Sequence, residues 1–165
     1  MPGMYEELFA KLVKAQVEFV VAGGVSAVLQ GAPIATFDVD LCYRRTAANL
    51  RKLADALRDL GPTLRGAPPD LPFRIDAEAL ALGANYTFRT RFGDLDLLGY
   101  VEPFGDYDEL NQRSTTERVG DLDLKVAALD DLIRIKQHLG RPKDRDSLLH
   151  LLAIKRVREE AERGA

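Results

Sequence analysis

Asp38 and Asp40 are separated by one residue within the stretch Thr36–Tyr43. There Phe37, Val39 and Leu41 alternate with Thr36, Asp38 and Asp40. That alternation has the period of a β-strand, so the two carboxylates share one face. Two like charges so close repel and raise one another's pKa unless a cation stands between them. Hard oxygen donors of this kind suit Mg2+ (or Mn2+), which is held by one or two carboxylates together with phosphate oxygens. Asp96, flanked by Leu95 and Leu97, falls on a second expected strand. If that strand lies beside the first, three carboxylates converge and can hold two metal ions about 3.5–4 Å apart. An isolated Asp-x-Asp is more often an exposed polar face, so its surroundings decide.

About 15 residues earlier stands Gly23-Gly24-Val25-Ser26, after the short apolar run Val17–Ala22. Glycines let a backbone approach a ligand closely, helix N-terminal amides attract phosphate, and Ser26 can add a hydroxyl. No Gly-Lys-Ser/Thr and no Gly-x-Gly-x-x-Gly occurs, so neither a Walker loop nor a dinucleotide fingerprint is present. Lys136 lies on the apolar side of its expected helix, where it either snorkels or reaches a phosphate. Arg141 and Lys143 follow at a helix break, which favours the phosphate reading. Asp144 and Asp146 read first as caps of the last helix, with orientation of Lys136 a second role for Asp144. His138, His150 and Cys42 lack metal-ligand spacing and read as structural.

These residues need elements to hold them. Apolar spacing predicts a helix over 4–16, a buried strand over 17–22 and a short helix over 26–30. The acidic strand spans 36–43, and a helix carries Leu50, Leu53, Ala54, Leu57 and Leu60. Residues 61–72, rich in Gly and Pro, read as a loop. Hairpins are expected over 86–92/95–101, turning at Gly93-Asp94, and over 115–119/122–127, with a helix near 106–112 between them. Asp130 is expected to cap a helix ending at Leu139, and a final helix runs from Lys143 to about Glu162. The order predicts an α+β (mixed α/β) chain with one central sheet and two C-terminal helices.

The 165 residues suffice for a core without staples. One cysteine precludes an intrachain disulfide. No apolar run is long enough for a membrane span, and no secretion signal opens the chain, so a cytoplasmic location is expected. The net charge of -3 argues against a general nucleic-acid coat. Its distribution is uneven: nine basic and six acidic residues from Asp131 onward give +3, leaving -6 on the rest.

The combination of Gly23-Gly24-Val25-Ser26, Thr36-Phe37-Asp38-Val39-Asp40-Leu41 and Leu95-Asp96-Leu97 resembles the DNA polymerase β-like nucleotidyltransferases. The stretches 130–136 and 140–146 are similar to segments of small members, among them abortive-infection type toxins. The resemblance implies a nucleotidyltransferase core over 1–128 and a helical segment over 129–165 packed on it. It implies Asp38, Asp40 and Asp96 as catalytic metal ligands, with Gly23, Gly24, Ser26, Lys136 and Lys143 on the triphosphate of a nucleoside triphosphate. The acceptor hydroxyl is left open between protein, RNA end and small molecule. A small protein partner, as in a toxin–antitoxin pair, or a homodimer could complete the site. The competing reading is a non-catalytic nucleotide-binding or interaction module.

Overall fold

The computed structural model describes residues 2–165. Its strands are β1 Phe19–Ala22, β2 Asp38–Tyr43, β3 Thr63–Leu64, β4 Tyr86–Thr90, β5 Gly93–Leu98, β6 Thr115–Val119 and β7 Leu122–Val126. They lie side by side in one mixed sheet, ordered β3-β4-β5-β2-β1-β7-β6. β2 runs parallel to β5 and antiparallel to β1, and β1 runs parallel to β7. The helices are α1 Pro2–Lys14, α2 Gly23–Leu29, α3 Ala47–Arg58, α4 Ala77–Leu82, α5 Tyr107–Arg113, α6 Leu129–Leu139 and α7 Arg145–Arg163. A single 3-10 turn, Pro142–Asp144, joins the last two. This is the mixed α/β class that the sequence predicts.

Alternation along the strands builds two cores. Val21, Val39, Leu41, Leu95 and Leu97 face α1 and α3, where Leu8, Phe9, Leu12, Leu53 and Leu57 complete one buried cluster. Val20 and Cys42 face the other way, into a cluster with Ala27 of α2, Leu110 of α5, Leu132 and Ile133 of α6 and Leu151 of α7. Each such side chain contributes about 1.5–3 kcal/mol by leaving water. The helices of 129–165 therefore share a core with the sheet. A buried carboxylate fixes α6 as well: Asp131 accepts from Arg113 Nε at 2.9 Å and Nη2 at 2.7 Å. That two-pronged pair joins α6 to α5 and stays shielded at the Asp131 end.

Several expected boundaries move. β2 begins at Asp38, because pairing to β5 starts there and to β1 at Asp40. Phe37 precedes the ladder and is 81% exposed, so it lies outside the apolar face. α2 starts at Gly23 itself, directly after β1. The first hairpin turns at Arg91-Phe92, and Gly93 and Asp94 belong to β5. Thr90 closes that turn: its hydroxyl donates to the Gly93 carbonyl at 2.8 Å and accepts from Phe92 N at 3.1 Å. The 61–72 loop contains β3, and α4, unforeseen from the sequence, is capped by Asp76, which accepts from Ala79 N. The N-cap of α6 is Ala128, with Asp130 inside the first turn.

Candidate active site

The register of β2 against β5 sets Asp38 beside Asp94, Asp40 beside Asp96 and Cys42 beside Leu98. In parallel neighbours, residues in register project from the same face. The carboxylates of Asp38, Asp40 and Asp96 thus stand together, continuing the face that buries Cys42 deeper in the sheet. From the other side, β1 brings Ala22 into register with Asp40. The chain turns immediately into Gly23, with φ +62, a conformation that favours glycine. A Cβ on Gly23 would fall on the Asp40 carboxylate, and one on Gly24 would press on the Thr36 side chain. The two glycines are therefore what lets backbone and carboxylate approach.

Asp40 records the resulting charge density. Burial, then the negative charge of Asp96, a hydrogen bond with Asp96 and the charge of Asp38 push its pKa up to about 7. Lys136 pulls the other way but does not cancel them. Asp40 is thus biased toward its protonated form, under a negative charge density that a cation would relieve.

Lys136, Arg141 and Lys143 line the same cavity, of about 400 Å3, as the three aspartates. Asp144, almost fully buried, organises the first two. It accepts from Lys136 Nζ at 2.8 Å and from Arg141 Nε at 2.6 Å and Nη2 at 3.2 Å. Burial alone would raise the Asp144 pKa, yet hydrogen bonds from Arg141 and Lys136 hold it at about 2. Asp144 occupies the N-cap position of α7 but makes no cap hydrogen bond, so its carboxylate serves Lys136 and Arg141 instead. Two cations on one anion leave a net positive wall, to which Lys143 adds a further charge. The rest of the lining is mostly apolar, with Leu98, Tyr100, Val101 and Leu139, and carries one further acid, Glu102.

Ser26 departs from its expected place. It is fully buried, and its hydroxyl donates to the Gly23 carbonyl at 2.8 Å. It braces the glycine turn from within and does not face the cavity. Arg65, which the sequence did not single out, does reach the carboxylates. Its Nη2 lies 2.8 Å from Asp96 Oδ1 and its Nη1 3.2 Å from Asp94 Oδ2. Arg89 Nε approaches Asp94 at 3.7 Å. Asp94 is thus neutralised by arginines outside the cavity, while Asp96 lines it.

The donor set fits a hard divalent cation in chemistry: clustered carboxylates with an unmet need for positive charge, beside a glycine cradle. Among the described residues, no group of three or more His, Cys, Asp or Glu side chains is disposed to hold a metal ion. No described helix is long and apolar enough to cross a membrane.

No family model matches the sequence, and no curated protein matches it. Solved structures do match. The lincosamide antibiotic adenylyltransferase LnuA, solved with lincomycin bound, superposes with a TM-score of 0.64 at 15% identity, over 93% of this chain and 98% of its own. ANT(2")-Ia in complex with adenylyl-2"-tobramycin gives 0.60 at 11% identity, over 99% and 98%. An antigenic nucleotidyltransferase-like protein from Paracoccidioides brasiliensis gives 0.51 at 19% identity, over 93% and 74%. Over nearly its whole length, this chain has the nucleotidyltransferase fold.

Proposed function

We propose that the chain is a metal-dependent nucleotidyltransferase that moves a nucleoside monophosphate from a nucleoside triphosphate to a hydroxyl group. The observation that carries this reading is that Asp38, Asp40 and Asp96 line one cavity together with Lys136, Arg141 and Lys143. Divalent cations held by Asp38, Asp40 and Asp96 would supply charge neutralisation at the α-phosphate and favour the acceptor alkoxide. Lys136, Arg141 and Lys143 meet the negative charge of the β- and γ-phosphates and of the departing pyrophosphate. Gly23 and Gly24 let the phosphates come close to the backbone. The seven-residue α2 adds only a small dipole, so the side-chain cations dominate. Asp96 would take the acceptor's proton as the acceptor oxygen bonds to the α-phosphorus and the α–β anhydride bond breaks. Positioning and electrostatics supply most of the acceleration in such chemistry.

Of the acceptor classes, a small hydroxylated molecule is favoured. Two matching structures carry an antibiotic or an adenylylated antibiotic. One observation favours the non-catalytic reading: Arg65 sits on Asp96. A single experiment separates the two. The protein is incubated with each labelled nucleoside triphosphate, Mg2+ and a panel of hydroxylated small molecules, RNA and protein. Label transferred to an acceptor with release of pyrophosphate, lost in Asp38→Ala, supports transfer. Binding of the triphosphate without turnover on any acceptor supports the passive module.

A further inference from the structure

We propose that Arg65 is a displaceable internal counter-ion: its guanidinium competes with the divalent cation for Asp96 and keeps the carboxylate site closed until metal arrives. The proposal rests on the reading of Asp38, Asp40 and Asp96 as metal ligands and goes beyond it.

The geometry is that of occupation. Arg65 contacts Asp96 at 2.8 Å and Asp94 at 3.2 Å, so one side chain spans the only two acids on β5. The Arg65 guanidinium thus occupies Asp96, and among the described residues no group of three His, Cys, Asp or Glu side chains is disposed to hold a metal. The fit is also imperfect. Arg65 Nη1 is buried yet makes no hydrogen bond, so its approach to Asp94 is an ion pair without directed bonding.

Retreat is easy. Arg65 follows the two-residue strand β3, at the edge of the sheet and paired to β4 alone. Its own amide bonds Thr87 O at 2.9 Å, and Gly66, with φ +84, comes directly after. Beyond it a second cavity of about 200 Å3, bordered by Gly66, Pro68, Phe73 and Arg89, offers room for the guanidinium to turn into.

Competition outweighs support. A positive charge touching the carboxylate repels a divalent ion on that same carboxylate, an effect on the order of tenfold or more in a partly solvated site. Losing the rotamer order that Arg65 gives Asp96 costs only a fewfold. Removing the charge therefore tightens metal binding.

The test is Mn2+ titration of the nucleotide-free protein, followed by electron paramagnetic resonance of free Mn2+ at fixed ionic strength. Arg65→Gln is expected to lower the Kd about tenfold, and Arg65→Lys, which keeps the charge, to stay within about threefold of the unaltered protein. Arg58→Gln, which removes an exposed charge paired only with Asp55, is expected to leave the Kd unchanged. An unchanged or weaker Kd in Arg65→Gln overturns the competition while leaving the metal site intact. If the unaltered protein binds no Mn2+ that Asp38→Ala abolishes, both the competition and the metal-dependent reading fall.

Discussion

Replacing Asp40 by asparagine keeps the shape and a hydrogen bond to Asp96 but deletes a charge that the metal-free fold resists. The rise of the Asp40 pKa from 3.8 to about 7 corresponds to about 4 kcal/mol, at about 1.36 kcal/mol per tenfold. Solvent reaching the partly exposed carboxylate screens this, and about 1–3 kcal/mol is the expected effect. Because the folded pKa lies above the unfolded one, the fold prefers the protonated acid. The associated stability is complete below about pH 4 and is lost as pH rises through 7. In EDTA, the unaltered protein should melt higher at pH 5 than at pH 8. Asp40→Asn should flatten that dependence and melt about 2–12 °C higher at pH 8, given about 2–4 °C per kcal/mol for a chain this size. Saturating Mg2+ should raise the unaltered protein and leave the variant unmoved. Nucleotidyl transfer should fall by at least about a hundredfold, as expected on loss of a metal-held electrostatic contact. Differential scanning fluorimetry across pH, with pyrophosphate release as the activity readout, covers all of these outcomes. A variant that melts below the unaltered protein at pH 8 in EDTA would refute the charge argument. One that keeps its activity would refute the assignment of Asp40.

Asp144→Asn should raise the KM for the triphosphate, because Lys136 and Arg141 lose their common anchor. It should cost about 2 kcal/mol at pH 7, an effect that vanishes as pH falls from about 4 toward 2 and the native carboxylate protonates. Gly23→Ala places a methyl on the Asp40 carboxylate at a φ of +62. It should cost about 1–2 kcal/mol in melting experiments and lower kcat more than it raises KM. Ser26→Ala should cost about 1 kcal/mol and leave the KM unchanged, since its hydroxyl serves Gly23 inside the fold. Arg113→Met strands the buried Asp131 and should cost about 3–5 kcal/mol by urea unfolding, more than Asp131→Asn, which strands only a half-exposed arginine.

What the sequence made legible is what a strand's period of two encodes. Asp38 and Asp40 declared a shared face, and Leu95-Asp96-Leu97 declared an acid alternating with core positions. Once β2 and β5 pair, those patterns suffice to bring three carboxylates together. The hairpin turn was misplaced because Gly93-Asp94 has turn chemistry, yet the Thr90 hydroxyl closes the loop two residues earlier. Phe37 looked like a core position because alternation does not announce where pairing stops.

Arg65 shows where local reading fails. It sits among Gly and Pro residues next to a two-residue strand with no periodicity to read. Its partner on β5 is 31 residues away, a pairing that only the sheet order creates. Ser26 fails for the opposite reason. Its motif position is right, but a hydroxyl at the fourth residue of a tight turn can satisfy the turn's own carbonyl as easily as a ligand, and burial decides. Asp144 sits between the two: its position just before a helix favoured a cap, and two cations eight and three residues back outbid the helix amides for its oxygens. In each case the residue types limited the possible partners, and the competition among those partners was settled by distances that no linear spacing contains. Charges of opposite sign lining one cavity are the feature least visible in sequence, because they need β2, β5 and α6 placed together before they meet.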